Sequence, residues 1–166
     1  MKNSVALLLY EDRRGTGYLV RPDCVLTCYH VVEAAVPDGW IRVIFPHGEH
    51  LAQVSLMDIE NDCAVLRLSQ PVLAVPPLPL GREPPRRGGA WQSYGFPAAT
   101  LSSGLLIDGE LQDEDGRNLR QRAALVLHSR NVTAGALMQG FSGSPVLADG
   151  VVIGQLQQIV PDETLG

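Results

Sequence analysis

Short apolar runs, separated by glycine, proline and charged residues, recur along the chain and predict β-strands. Val, Leu and Ile dominate these runs, and helical periodicity is scarce. In the first half the predicted strands are Val5–Tyr10, Gly17–Val20, Val25–Cys28, Ile41–Phe45, Leu51–Leu56 and Ala64–Leu68. In the second half they are Ala90–Tyr94, Leu105–Ile107, Arg122–His128, Pro145–Leu147 and Val151–Leu156. Only His30–Ala35 is predicted to form a helical turn, so the pattern indicates an all-β protein.

The segment Ser69–Gly89 interrupts this pattern, because it holds six of the twelve prolines of the chain. Proline cannot donate to a β-ladder and is excluded from central strands, so we interpret the segment as a semi-rigid connector. It separates residues 1–68 from residues 90–166. Each half is too short to bury enough surface alone. We therefore predict two small β-barrels packed together, with a site in the groove between them.

The composition is that of a globular protein, with 45% hydrophobic and 19% charged residues. The net charge is −5, whereas a nucleic-acid-binding protein usually has a basic face. The densest basic stretches are Asp12–Gly15, Pro84–Gly89 and Gly116–Arg122. No aromatic residues lie among them, so we interpret them as solvated loops and expect no nucleic-acid partner.

No apolar run approaches the length of a membrane span, so no membrane partner is expected. We interpret Met1–Tyr10 as the first strand and not as a signal peptide, because its apolar run is short and no cleavage site follows. The three cysteines, Cys24, Cys28 and Cys63, are an odd number without paired spacing. They favour a reducing compartment and hence a cytoplasmic location.

The clearest candidate for chemistry is Ser142, in the sequence QGFSGSPV at Gln139–Val146. The same composition is typical of an ordinary turn, so this stretch alone decides nothing. A serine hydroxyl becomes a nucleophile only with a general base in reach and a third group that orients the base.

Four histidines could supply the base. His30 lies where an apolar strand gives way to the helical turn, which suits a side chain that projects into a cleft. His47 and His50 form an H-x-x-H pair, but Pro46 and Gly48 indicate a hairpin loop, and no further ligand lies near them. His128 ends a strand without an acidic neighbour. The sequence therefore predicts neither a metal nor another cofactor.

Three acidic residues could orient the base. Asp62 directly precedes an apolar strand, where a carboxylate can be held firmly. Asp58 and Glu60 fall in the turn before it, together with Asn61, where the usual role of such residues is to stabilise the turn.

The order of these residues along the chain discriminates between hydrolase classes. No histidine follows Ser142, which excludes the α/β-hydrolase order of serine, acid and histidine. The subtilisin order would need an acid before His30 and alternating strands and helices. The order His30, Asp62, Ser142 is that of chymotrypsin-like enzymes.

Three blocks resemble the motifs of trypsin/chymotrypsin-like serine proteases, in particular the compact bacterial members without disulfides. They are GTGYLVRPDCVLTCYHVV at Gly15–Val32, NDCAVLRL at Asn61–Leu68 and GFSGSPVLADGVVIG at Gly140–Gly154. The resemblance implies two six-stranded antiparallel β-barrels with the active site between them. It also implies an endopeptidase with His30 as base and then acid, Asp62 as orienting group and Ser142 as nucleophile.

The resemblance further implies an oxyanion hole made of the backbone N–H groups of Gly140 and Ser142. Its substrate pocket maps onto Ala134–Gln139 and Leu156–Ile159, which hold no acidic residue. An uncharged or apolar residue is therefore expected at the cleavage site. The candidate substrate-binding residues are Ala136, Gln139, Gln157 and Gln158.

Two features depart from the secreted relatives. Val31 stands where many have a disulfide-forming cysteine, and Phe141 stands where many have an aspartate that pairs with a new N-terminus. Activation by N-terminal trimming is therefore not expected. We expect the protease domain of a longer protein, activated by a partner or by a fused effector or sensor domain, as in bacterial defence or signalling systems. The alternative is a catalytically silent protease-fold module that binds peptides or proteins without cutting them.

Overall fold

The computed structural model describes residues 1–83, 86–98, 103–118, 121–130 and 139–157. The first half of the chain forms six strands, one short helix and two 3-10 turns. The strands are β1 (Val5–Tyr10), β2 (Arg13–Arg21), β3 (Cys24–Thr27), β4 (Ile41–Phe45), β5 (Gly48–Asp58) and β6 (Cys63–Leu68). The helix α1 spans Tyr29–Val32, and the 3-10 turns span Lys2–Ser4 and Glu33–Ala35.

Strands β1 to β6 close into an antiparallel barrel with the order β1-β2-β3-β6-β5-β4, which we call the first barrel. Pairing of β1 with β4 closes it. In β4, Ile41, Val43 and Phe45 are buried while Arg42 between them is exposed, as the two-residue period of a strand requires. The barrel core is apolar and continues into Val31, Val32 and Ala35 of the helical segment, which cover one end of it.

The second half forms an antiparallel sheet, which we call the second sheet. Its strands are β7 (Ala90–Gly95), β8 (Leu105–Arg117), β9 (Ala123–Ser129), β10 (Pro145–Ala148) and β11 (Val151–Gln155), and their order is β11-β10-β7-β8-β9. The predicted all-β, double-barrel architecture is confirmed, with one difference of detail. Over the described residues the second unit is a half-barrel of five strands, whereas six were expected.

The predicted strand at Leu105–Ile107 is in fact the start of β8, which continues to Arg117. Its outer part is polar, with four consecutive exposed residues at 112–115. Pairing with β9 holds this part in the sheet although it has little apolar surface to bury. Hydrophobic patterning misses such a strand because main-chain pairing, and not burial, maintains it.

The proline-rich connector is hydrogen-bonded to both halves. The Leu78 N–H donates to the Leu19 carbonyl of β2, and the Gly81 N–H donates to the Val152 carbonyl of β11. Leu78 also lies in an apolar cluster shared by the two halves, which includes Val5, Leu7, Tyr18, Phe96, Leu147 and Val152. The first barrel and the second sheet therefore share a continuous core along their contact.

None of the helices in the described ranges is long and apolar enough to cross a membrane.

Candidate active site

His30 and Asp62 are joined by two hydrogen bonds. The His30 Nδ1 atom lies 2.7 Å from Asp62 Oδ2, and the His30 backbone N–H donates to Asp62 Oδ1 at 2.9 Å. A carboxylate can only accept hydrogen bonds, so Nδ1 carries the proton and Nε2 is left with a free lone pair. The His30 side chain is 38% exposed and that of Asp62 is 13% exposed. Asp62 thus holds the imidazole at Nδ1, while part of the His30 side chain stays exposed to solvent.

Local folding accounts for this contact. Helix α1 begins directly after β3, so His30 sits on the first turn at the barrel rim. Asp62 lies in the turn between β5 and β6 with φ at +52°, a left-handed conformation that aspartate tolerates better than most residues. This backbone turn directs both carboxylate oxygens toward His30.

The other two acidic candidates are engaged elsewhere. Asp58 accepts hydrogen bonds from the Asn61 backbone N–H at 3.0 Å and from Asn61 Nδ2 at 2.7 Å. The hydrogen bonds from Asn61 lower the pKa of the Asp58 carboxyl group. Glu60 accepts from Arg122 Nη1 at 3.3 Å. Asp58 therefore has the turn-stabilising role expected for it, and only Asp62 contacts a histidine.

Ser142 lies in a tight turn between two glycines with positive φ. Gly140 has φ at +100° and Gly143 has φ at +86°. A Cβ atom on Gly140 would lie 2.6 Å from the Phe96 carbonyl oxygen, and one on Gly143 would overlap Thr27 Oγ1 and approach the Cys28 nitrogen at 3.1 Å. Glycine is required at both positions for conformation and for space. The turn of Ser142 is thereby packed against the residues that lead into His30.

The two predicted oxyanion donors belong to this turn. Within the described part of the chain, neither the Gly140 N–H nor the Ser142 N–H donates to another protein group. The carbonyl of Gln139 accepts from the Ala98 N–H at 2.6 Å. In a trans peptide the N–H points opposite to the carbonyl, so the Gly140 N–H points away from Ala98.

Phe141, where many relatives have an aspartate, is fully buried. Its ring packs in the core of the second sheet with Trp91, Ile107 and Val146. Its carbonyl accepts from the Ser144 N–H at 2.9 Å, which closes the turn around Ser142. An apolar anchor therefore stands where those relatives use an ion pair.

The predicted substrate-binding residues fall into two groups. Ala136 and Gln158 lie outside the described residues. Gln139 is exposed at the start of the turn of Ser142. The side-chain amide of Gln157 donates to the Asn61 carbonyl at 2.7 Å and therefore braces the loop of Asp62. A direct role of these residues toward substrate stays a prediction.

Cys28 lies close to His30 and Asp62. Its Sγ atom, a ring nitrogen of His30 and a carboxylate oxygen of Asp62 lie within 4.8 Å of one another, and such donors can hold a metal ion. All three are already used within the protein, since Cys28 Sγ also contacts the Leu156 carbonyl at 3.3 Å. Burial raises the pKa of the Cys28 thiol, so it stays neutral and is not a nucleophile. That no metal is needed stays a prediction.

The remaining histidines lie away from this region. His47 and His50 pack around Phe45 at the β4–β5 hairpin, with ring centroids 5.1 and 5.8 Å from the phenyl ring. His128 is exposed near the end of β9.

Two residues that sequence reasoning missed connect the two halves at the site. Gln155, at the end of β11, donates from Nε2 to the carbonyls of Thr27 at 3.3 Å and Asp62 at 3.2 Å. Thr16, on β2, is fully buried and contacts the turn of Ser142. A threonine between two glycines, directly before an apolar run, was the available signal for Thr16, and Gln155 had none.

Comparison with known proteins agrees with this architecture. The family model described as a trypsin-like peptidase domain matches residues 15–154. A search of curated protein sequences found no match.

Three solved structures illustrate the similarity of fold. The Rv3671c protease of M. tuberculosis, in its inactive form, superposes with a TM-score of 0.77 at 23% identity over 98% of this chain and 80% of that chain. Deg5 gives 0.71 at 18% identity over 99% and 86% of the two chains. The HtrA-type protease AlgW, solved with a tripeptide, gives 0.73 at 22% identity over 93% and 50%.

At these identities the solved structures show the fold, and the family model adds the family. The matched range contains the His30–Asp62 pair and the turn of Ser142, and it covers most of the chain. The chain therefore belongs to the trypsin-like peptidase domain family of serine proteases.

Proposed function

We propose that the chain is a serine endopeptidase with His30, Asp62 and Ser142 as its catalytic triad. The observation that carries the proposal is the double contact of Asp62 with the ring and the backbone of His30. This contact selects the Nδ1–H tautomer, which is the one that leaves Nε2 able to accept a proton.

In the proposed reaction, His30 Nε2 takes the proton of the Ser142 hydroxyl while Oγ attacks the scissile carbonyl carbon. The carbonyl oxygen becomes an oxyanion, and His30 then gives the proton to the leaving amine. Water attacks the resulting ester with His30 again as base, which releases the acid and restores Ser142. Asp62 stabilises the imidazolium in both halves of the reaction.

We also propose that the oxyanion hole is already formed. The Gln139 carbonyl bonds to Ala98 and not to the Ser142 N–H, which is therefore not blocked from within the described turn. Two N–H groups, those of Gly140 and Ser142, have no protein partner there. Donors that are oriented before the reaction need no reorganisation when the charge develops.

We further propose a cytoplasmic location and control by a partner or an adjoining domain. The three cysteines are free, which supports a reducing compartment and hence the cytoplasm. Phe141 cannot form the ion pair that follows N-terminal trimming, which supports control by a partner or an adjoining domain, as in a bacterial defence or signalling system. A protein or peptide is the substrate class.

Labelling with a fluorophosphonate, followed by assay on denatured casein, tests the proposal. The wild type is expected to be labelled and to cut casein, and Ser142→Ala to do neither. Ser144→Ala is the matched control, because Ser144 is buried two residues away and its Oγ has no hydrogen-bond partner among the described residues. It should be labelled like the wild type. A folded wild type that binds casein but is neither labelled nor active would favour the silent binding module.

A further inference from the structure

The buried hydroxyl of Thr16 lies at the contact between the first barrel and the nucleophile turn. Strand β2 pairs with β3 only from Tyr18 onward, where Tyr18 lies opposite Leu26. The edge of β2 at Thr16 is therefore open. The turn of Ser142 occupies that edge, since the Thr16 N–H donates to the Ser142 carbonyl at 2.9 Å.

The side chain of Thr16 makes two further bonds to the same region. Its Oγ1 donates to the Gly140 carbonyl at 2.9 Å and accepts from the Phe96 N–H at 3.0 Å. The Thr16 carbonyl accepts from Thr27 Oγ1 at 2.7 Å. Every polar group of this fully buried residue is thus paired, and three of its four bonds reach the second sheet or its turn.

These bonds determine the direction of the oxyanion donors through the peptide planes around them. Ala98 holds the Gln139 carbonyl, Thr16 Oγ1 holds the Gly140 carbonyl, and Ser144 holds the Phe141 carbonyl. Three consecutive peptide planes are therefore oriented by their carbonyl groups. The first and third of them carry the N–H groups of Gly140 and Ser142, and the second, held by Thr16, sets the angle between the two.

The flanking glycines leave threonine as the side chain that can act here. A Cβ on Gly15 would overlap Val31, and one on Gly17 would lie 2.7 Å from Val25 Cγ1. Their side of β2 therefore faces the barrel core. Thr16 faces the other way, toward the second sheet.

We propose that Thr16 is a positioning residue, whose hydroxyl holds the Gly140–Phe141 peptide so that the two oxyanion N–H groups converge. The inference rests on the proposed serine protease function. It adds that the first barrel, and not only the turn itself, keeps the oxyanion hole assembled.

The test compares Thr16→Val, which keeps the shape and removes the hydroxyl, with Thr16→Ser, which keeps the hydroxyl. Ser4→Ala is the matched control, because Ser4 is a buried residue whose hydroxyl makes one long-range bond, to Pro76, away from the turn. On a chromogenic peptide substrate, T16V is expected to lower kcat by about 10²-fold, the scale of a misplaced catalytic geometry, with little change in KM. T16S and S4A should stay within about threefold of the wild type.

Amide hydrogen exchange supplies a readout that needs no activity. The Gly143 N–H donates to the Leu156 carbonyl and the Ser144 N–H donates to the Phe141 carbonyl, so both amides report on the turn. In T16V the peptide covering residues 139–144 should exchange faster, while S4A should leave it protected. If T16V does not fold, Thr16→Cys replaces it, with the same direction of change.

The outcomes separate the two proposals. An inactive, unlabelled wild type would overturn the protease function. Hydrogen exchange at residues 139–144 would then decide, without an activity assay, whether Thr16 holds the turn of Ser142. A kcat for T16V equal to that of the wild type, a loss matched by S4A, or unchanged exchange at residues 139–144 would each overturn the role of Thr16.

Discussion

At the scale of single residues, the site depends on one carboxylate with two contacts. Asp62 accepts from both the ring and the backbone of His30, so it fixes the position as well as the tautomer of the imidazole. Asp58, four residues earlier, makes equally short bonds, but to Asn61. The two residues are a natural pair for testing which carboxylate acts in the reaction.

Asp62→Asn is expected to lower kcat by about 10⁴-fold, because an amide can donate to Nδ1 and favours the wrong tautomer of His30. Asp58→Asn should lower the stability of the turn slightly and leave kcat within about threefold. Steady-state kinetics of both variants, with circular dichroism to confirm folding, measures this. A normal turnover for D62N together with a large loss for D58N would show that the acid is wrongly assigned.

At the scale of elements, the turn of Ser142 and the turn between β10 and β11 use the same backbone conformation under different constraints. Gly140 and Gly150 have φ at +100° and +81°. A Cβ on Gly140 would meet main-chain atoms of Phe96, whereas one on Gly150 would meet open space. A side chain would therefore strain the backbone at both positions, but it would clash with other atoms only at Gly140.

Gly140→Ala is expected to lower kcat by about 10²-fold or more, because the turn must shift and the Gly140 N–H moves with it. The removal of one oxyanion donor typically lowers kcat by about that amount. Gly150→Ala should cost about 1 kcal/mol of stability from its left-handed backbone and leave kcat unchanged. Kinetics and urea denaturation of the two variants test this. Equal kinetic effects would mean that strain alone, and not the position of the N–H, matters.

At the scale of the whole molecule, the candidate residues lie where the first barrel and the second sheet meet. His30 and Asp62 come from the barrel and Ser142 from the turn before β10. Gln155 bridges them, because its Nε2 donates to main-chain carbonyls of Thr27 and Asp62. Its Oε1 is buried without a partner among the described residues, so the side chain contributes mainly as a donor.

Gln155→Met, which has a similar shape and no donor, is expected to lower the free energy of unfolding by about 1–2 kcal/mol, because the hydrogen bonds to two part-buried carbonyls are lost. We expect kcat to fall by about tenfold as Asp62 loosens. Gln53→Met is the control, since Gln53 makes one exposed bond to Asp38 within the first half. It should change stability by less than about 0.5 kcal/mol. Thermal unfolding and kinetics measure both variants; identical behaviour would remove Gln155 from the bridge.

Much of the fold could be predicted from the sequence because buried strands require apolar residues at neighbouring positions of the chain. The predicted bounds of β1 and β4 coincide with those in the structure, since both strands have apolar residues that the core buries: β4 alternates, and the first four residues of β1 are buried on both faces. The outer part of β8 could not be predicted, because a polar strand held by main-chain pairing looks like a loop. The bond from the Gln157 side-chain amide to the Asn61 carbonyl could not be predicted either, because the two residues lie far apart in the chain; a role of Gln157 toward substrate stays a prediction.

The sequence by itself determined the all-β class and the order of His30, Asp62 and Ser142 along the chain, because strand periodicity and motif order are local or sequential properties. Only the tertiary structure shows that Asp62 bonds to both the ring and the backbone of His30, that Thr16 and Gln155 join the two halves, and that Phe141 is anchored in a core. These are contacts between residues far apart in the chain, where any of several polar side chains satisfies the same local pattern. Only the packing of the two halves brings particular atoms within hydrogen-bond distance.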